Sequence, residues 1–294
     1  MSISVIIPAY KKKQMFLDNL RHNLKYLKNC EIIVVNDDPS ESLMQDLATY
    51  PQVTFIEHMV NKGFSGAINT GVAAATGEYL FLLNTDVKLR DTSYLKAMKQ
   101  FDNDSSLFAV SFAQIERDGS TVGKNRWYWK DGFVYHSKAA DMKSGITAWA
   151  EGGSSMISKQ KFVELHGLDE IYAPFYSEDA DLSYRAWKAG YSVLFNDQIV
   201  VEHHHESTIG SFFDKQKVRQ IALRNQILFV WKNITVPDLL REHTQELTKL
   251  IFKHTAKADI VVLRAWLDAL ARKSQITKDT QYEKNDRDIL NLFK

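Results

Sequence analysis

The first hundred residues alternate between two hydrophobic rhythms. Short β-branched runs fall at Ile3–Ile7, Ile32–Val35, Val53–Ile56 and Tyr79–Leu83. The first, second and fourth are almost continuously apolar, as expected of parallel strands covered on both faces. Between the runs, apolar residues recur at helical spacing: Leu17, Leu20, Leu24 and Leu27, then Leu43 and Leu47, then Ile68 and Val72, then Tyr94, Leu95, Met98 and Phe101. This βαβαβαβα order predicts an α/β fold with a doubly wound parallel sheet flanked by helices. Further on, Leu107–Ile115, Ser154–Ile157, Val193–Phe195 and Ile199–Val201 read as strands. The stretch from Arg117 to Ala150 is polar and Trp-rich with few helix signals, and Glu178–Ala189 reads as a helix stopped by Gly190. From about Ser211 the chain reads as helical. One helix spans Phe212 to Trp231, Pro237 opens the next, and a 3.6-residue period runs from Leu247 to Ala271. The predicted division is an α/β domain over 1–210 and a helical region over 211–294.

Composition narrows the field. With 294 residues, 45% hydrophobic and 25% charged, the chain has ordinary globular usage and is neither disordered nor of low complexity. A formal net charge of +1 argues against nucleic acid as a partner, because phosphate binding needs a basic excess. The single cysteine, Cys30, cannot form an internal disulfide, which suits a reducing, cytoplasmic setting. No apolar run is long enough for a membrane span or a signal-peptide core, since Ile3–Ala9 is short and precedes Lys11–Lys13.

In a parallel sheet, ligands gather at the carboxyl ends of the strands. Strand one ends in Pro8, Ala9 and Tyr10, strand two in Asn36, Asp37 and Asp38, and strand four in Asn84, Thr85 and Asp86. Acids on one edge suit a hard divalent cation and ribose hydroxyls, although any one cluster alone would read as helix capping. A Gly-containing turn over 61–69 follows strand three and could present N–H groups to a phosphate, but its spacing matches neither a Walker loop nor a dinucleotide fingerprint. Glu178, Asp179 and Asp181 crowd one helix start. The macrodipole accounts for one or two acids there, and a general base is the other reading. His203, His204 and His205 end a strand, where alternation lets at most His203 and His205 share a face. Of the aromatics between Trp127 and Trp149, only Trp149 is a site candidate, because it adjoins Glu151, Gly152 and Gly153.

Taken in order, the segments VIIPAY (5–10), VNDD (35–38), NKGFSGAIN (61–69), GEYLFLLNTD (77–86), the Gly152–Gly153 pair, FYSEDADLSYR (175–185) and His203 resemble the inverting family-2 glycosyltransferases of GT-A fold. The likeness covers roughly residues 2 to 232 and is nearest the rhamnosyl- and galactofuranosyl-transferase-like branch. It implies a mixed, mainly parallel sheet flanked by helices with a helical C-terminal tail, a nucleotide-sugar half over 1–115 and an acceptor and catalytic half over 116–210. It implies that Pro8, Ala9 and Tyr10 contact the base, that Asp37 and Asp38 bind base or ribose, and that Lys62, Gly63 and Asn69 lie near nucleotide or sugar. Asn84, Thr85 and Asp86 stand in the place of the family's D-x-D element, with Asn84 replacing the first acid. Asp86 and His203 are the implied ligands of a divalent cation, Mn2+ or Mg2+, with His204 and His205 as alternatives to His203. Asp179 matches the catalytic base, Glu178 and Asp181 support it or bind acceptor, and Trp149, Glu151 and Gly152 border the acceptor pocket. The implied reaction moves one sugar from a UDP- or dTDP-sugar to a hydroxyl of a saccharide or lipid-linked acceptor, in surface polysaccharide or glycoconjugate synthesis. The Q-x-x-R-W element of processive members is absent around Gln220, Arg224 and Asn225. Rival readings are a catalytically silent sugar- or nucleotide-binding module and a sugar nucleotidyltransferase. The latter would carry a Gly-rich basic loop directly after strand one. The basic helices from Arg241 to Lys273 either pack on the catalytic domain or another subunit of a homo-oligomer, which is the commoner outcome, or lie on the inner face of a membrane.

Overall fold

The computed structural model describes residues 2–203, 213–278 and 282–294. The strands are β1 (Ile3–Ala9), β2 (Glu31–Asn36), β3 (Val53–Glu57), β4 (Tyr79–Leu83), β5 (Val87–Leu89), β6 (Leu107–Ile115), β7 (Thr121–Val122), β8 (Asn125–Lys130), β9 (Phe133–Lys138), β10 (Gly145–Ile146), β11 (Ser154–Ser158) and β12 (Ser192–His203). The α-helices are α1 (Lys13–Asn23), α2 (Met44–Leu47), α3 (Gly63–Ala74), α4 (Lys96–Asn103), α5 (Lys159–Glu164), α6 (Glu178–Lys188), α7 (Lys215–Asn233), α8 (Pro237–Thr255), α9 (Ile260–Arg272) and α10 (Asp286–Asn291). The main sheet has the order β10-β12-β6-β11-β4-β1-β2-β3, with β5 on β12 and β7 on β6. Strands β1–β4, β6 and β12 run one way and β11 runs against its neighbours, giving the mixed, mainly parallel sheet that the family resemblance implied, where the pattern alone predicted a parallel one.

Continuous apolar runs make sense in this sheet because both faces are covered. Alternate residues of β1 part company: Val5 and Ile7 join Phe16 and Leu20 under α1, while Ile6 joins Ile33, Ile68 and Val72 under α3. Each such side chain, fully withdrawn from water, contributes roughly 1.5–3 kcal/mol.

Three local departures from the sequence pattern have visible causes. The two short strands expected at 193–195 and 199–201 are one strand, β12, with a register irregularity between Asn196 and Val200, where the Asn196 side chain accepts from the Gln198 N–H. The period from Leu247 to Ala271 is cut in two because Ala258 adopts φ 55° and Asp259 caps α9. The helix expected from Phe212 starts at Lys215 behind the Asp214 cap, and Phe212 lies outside the described residues. The Trp-rich stretch contains the β8–β9 hairpin. Its two-residue loop, Asp131-Gly132, has positive φ at both positions, as a tight twisted hairpin requires.

The helical region packs on the α/β region. His243 meets the Gly132 carbonyl at 2.8 Å, and Glu242 accepts from Trp129 Nε1 at 2.8 Å. The last helix is held by Asp286, which is fully buried and accepts from Thr235 N, Val236 N and the Tyr184 hydroxyl, with Lys188 Nζ at 3.0 Å. No helix among the described residues is long and apolar enough to cross a membrane.

Candidate active site

The carboxyl ends of β1, β2 and β4 lie side by side, because β1 pairs with both other strands. Beyond them opens a cleft of about 350 Å³, in the range of small-molecule sites. From the sheet edge it is lined by Pro8, Ala9, Tyr10, Asp37, Asn84, Thr85 and Asp86, with Gly63 at the start of α3. The rest of the lining includes Glu151, Gly152, Glu178 and Asp179, with His203 beside Asp86. The structure therefore gathers most of the residues marked in the sequence, and it places Asp86 and Asp179, far apart in the chain, in one cleft.

Asp37 is held rigidly. Its Oδ1 accepts from the Lys62 N–H at 2.8 Å and lies 2.8 Å from His58 Nδ1, while His58 Nε2 meets the Thr70 hydroxyl at 2.9 Å. Gly63 turns the chain away with φ 75°, and a Cβ there would press on the Pro174 carbonyl at 3.1 Å.

On the far wall, Asp179 Oδ1 accepts from the Ala180 N–H at 2.8 Å and Oδ2 from the Gly152 N–H at 3.2 Å. Burial pushes its carboxyl above the usual aspartate range, against those two donors. Glu178 and Glu151 are raised as well, first by burial and then by the Asp179 charge, with the Asn125 amide opposing the shift at Glu151. Three carboxyls this close do not all ionise together. Glu178 Oε2 is buried with no hydrogen-bond partner in the protein. The acids are aimed by a strained turn: Tyr176 and Ser177 take φ 72° and 77°, left-handed values that disfavour non-glycine residues by about 1–2 kcal/mol each.

Asp86 Oδ1 and His203 Nε2 stand 3.2 Å apart, and His203 Nδ1 is engaged by the Gln114 side-chain oxygen. With the ring proton on Nδ1, two electron pairs face each other across this gap, so a proton or a cation belongs between them. The donor types, one carboxylate and one imidazole, suit a divalent metal. No group of three or more His, Cys, Asp and Glu able to hold a metal occurs among the described residues.

Five residues marked in the sequence do not line the cleft. Asp38 turns to Lys11 and Ser40, closing its own loop. Lys62 serves through its backbone N–H, and its side chain lies over Gly66. Asn69 exchanges hydrogen bonds with the backbone of Leu168, tying α3 to the 168–170 segment. Trp149 is buried behind the wall, its ring stacked on Trp127 at 6.1 Å. Asp181 is buried in an ionic cluster with Arg185 and Lys232, joined by Asn233 and the Tyr172 hydroxyl. Burial alone would raise its carboxyl, but the two cations outweigh that and hold it far below the usual range. His204 and His205 lie outside the described residues. Conversely, Phe64, Gln114, Pro174, Phe175, Tyr176 and Phe213 line the cleft without having been marked. Gln114 gave no signal inside an apolar strand, whereas Phe64, Phe175 and Tyr176 sat within the matching segments.

A mixed sheet with this strand order and an acid-lined cleft at its carboxyl edge is the GT-A architecture of nucleotide-sugar transferases. Residues 4–165 match the family described as Glycosyl transferase family 2, and the chain belongs to that family. It is 22% identical over 245 residues to a poly-beta-1,6-N-acetyl-D-glucosamine synthase of Staphylococcus epidermidis, covering 81% of this chain and 58% of that protein. It is 23% identical over 232 residues to the synthase of the same name from Staphylococcus aureus strain COL, covering 77% and 55%. The chain thus spans little more than half the length of these curated relatives. Among solved structures it resembles GalNAc-T7 with UDP, GalNAc and Mn2+ (TM-score 0.63, 16% identity, 79% of this chain and 48% of that one). It also resembles Staphylococcus aureus TarS 1–349 in complex with UDP-GlcNAc (TM-score 0.60, 13% identity, 94% and 81%). At these identities the structural likeness concerns the fold.

Proposed function

We propose that the chain is an inverting, metal-dependent glycosyltransferase that moves one sugar from a UDP- or dTDP-sugar to a hydroxyl of a saccharide or lipid-linked acceptor during polysaccharide or glycoconjugate synthesis. The observation that carries this reading is the convergence of Asp86 and Asp179, 93 positions apart in the chain, on the lining of one cleft. The nucleotide lies along Pro8–Tyr10 and Asp37, and the sugar lies between the acids and the ring wall of Phe64 and Phe175. Asp179 removes the acceptor proton as the hydroxyl attacks the anomeric carbon, a task worth about 10²–10⁴-fold. Its two N–H donors fix the direction of the carboxylate, and its raised affinity for a proton makes it a better base than an exposed aspartate. Glu178, with an unpartnered buried oxygen, is placed to take a sugar hydroxyl. Asp86 and His203 would hold a divalent cation, which supplies charge neutralisation for the departing diphosphate when bound. Relatives that make N-acetylglucosamine polymers, and a neighbour holding UDP-GlcNAc, support starting with that donor. The test is a panel of nucleotide sugars, scored by thermal shift and by nucleoside diphosphate release with and without Mn2+. Metal-dependent release from one or more donors is expected. Binding without release from any donor would favour a silent module.

A further inference from the structure

The segment that aims the catalytic acids is held from outside the α/β domain. Residues 171–175 lead into the left-handed turn at Tyr176 and Ser177, and the carbonyls of Ile171, Tyr172, Ala173, Phe175 and Tyr176 accept hydrogen bonds from the helical region. Asn225, fully buried in α7, donates through Nδ2 to the carbonyls of Tyr172, Phe175 and Tyr176 at 2.9, 2.9 and 2.8 Å. Arg224 donates to the carbonyls of Tyr172 and Ala173 at 2.9 and 2.7 Å, and its Nε, bonded to Asn225 Oδ1 at 2.9 Å, fixes which way the amide faces. Arg272, at the end of α9, donates to the carbonyls of Ile171 and Ala173 at 2.6 and 3.2 Å. Three side chains from two helices thus converge on one turn, and a strained conformation persists only when its surroundings over-determine it.

We infer that Asn225, Arg224 and Arg272 are positioning residues for the transfer reaction: they clamp the 171–177 turn from behind and so set where Glu178 and Asp179 stand in the cleft. This rests on the transferase reading of the site and extends it to residues that touch no substrate. Arg224 and Asn225 occupy the stretch that lacks the Q-x-x-R-W spacing, and the hydrogen bonds give that stretch a use of its own. The nucleotide side of the cleft is built from β1, β2 and β4 and receives none of these bonds, so the clamp acts on turnover rather than on nucleotide affinity.

The test compares four variants in the full chain. Asn225→Asp replaces the donor amide with an acceptor facing three carbonyls. Arg272→Ala removes the most solvent-accessible arm and keeps the test valid if the buried aspartate prevents folding. Arg272→Lys restores a donor. Arg219→Ala removes an exposed ion pair with Asp259 on the same helices without touching the turn. With UDP-N-acetylglucosamine as donor and UDP as binding probe, kcat should fall about 10–100-fold in Asn225→Asp and Arg272→Ala, in line with small misplacements of a reacting group. UDP affinity should stay within about twofold, Arg272→Lys should recover most of kcat, and Arg219→Ala should match wild type. Amide hydrogen exchange over residues 170–178 should speed up about tenfold or more in the two damaging variants and stay unchanged over β2. Wild-type kcat in folded Asn225→Asp and Arg272→Ala overturns the inference, as does UDP affinity falling in step with kcat, or unchanged exchange at the turn. If wild type releases nucleoside diphosphate from no donor of the panel while exchange at the turn still accelerates in the variants, the clamp stands and the transferase reading fails.

Discussion

The two walls of the cleft are built in different ways. On the nucleotide wall, Asp37 is fixed by neighbours that the sheet delivers anyway: the Ala9 carbonyl, the Lys62 N–H and His58 from the next strand end. On the wall that carries Asp179, the turn before it takes its support from side chains 49 to 101 residues away. A sheet edge presents backbone groups by default, whereas a left-handed turn needs donors brought from elsewhere. The first wall should therefore govern binding and the second turnover, and each can be perturbed with little effect on the other.

The largest effect is expected at the far wall. Asp179→Asn should lower transfer by about 10²–10⁴-fold while UDP affinity, measured by titration calorimetry, stays unchanged. Near-normal turnover in this variant would remove Asp179 as the base. Lys232→Met should come next, because it strips one of the two cations from the wholly buried Asp181. Breaking a buried pair from one side costs about 3–5 kcal/mol, which chemical denaturation would read. A loss below about 1 kcal/mol would mean that the cluster is solvated. Asp86→Ala should weaken UDP binding in Mn2+ by about tenfold or more and abolish the difference between Mn2+ and chelator. A wild type indifferent to metal would contradict the assignment of Asp86 and His203.

A pH series sharpens the contrast within a single helix. Asp179 has its pKa raised and Asp181 has its pKa lowered. On the proposed role of Asp179 the base works ionised, so kcat should fall severalfold as pH drops through the raised value, above the roughly 3.9 of an ordinary aspartate. The Asp181 contribution to stability is complete above that ordinary value and is lost only as pH falls toward its depressed one. Activity should thus decline in acid before the melting temperature does, and coincident loss of both would overturn the contrast.

The sheet and its binding edge were legible because their signals are local. Continuous apolar runs mark covered strands, and the residue after each run marks the ligand edge. Asp37 and Asp86 could be picked out on that basis, and Asp179 from the crowd of acids at one helix start. Trp149 and Asp181 misled, because proximity in sequence to Gly152 or Asp179 says nothing about which face a side chain takes. Trp149 turns back to stack on Trp127, and Asp181 turns toward Lys232. His58, Gln114 and Asn225 could not be found at all, being single polar residues whose partners are set by tertiary packing. The β8–β9 hairpin is a different case. Asp131-Gly132 between two alternating runs is a usable turn signal, and the Trp-rich composition drew attention away from it.

The burial of Asp286 bears on how the enzyme can be handled. Its carboxylate joins the entry to α8, the Tyr184 hydroxyl on the helix that carries Asp179, and the Lys188 ammonium. Clipping the chain ahead of Asn285 would take the carboxylate away from the buried Lys188 ammonium and from two backbone amides, and would uncover Trp127 and Trp187, on which Phe293 packs. Shortened versions should come out insoluble or inert even though every cleft residue is retained, so the final turn of helix belongs to the catalyst as firmly as the sheet does.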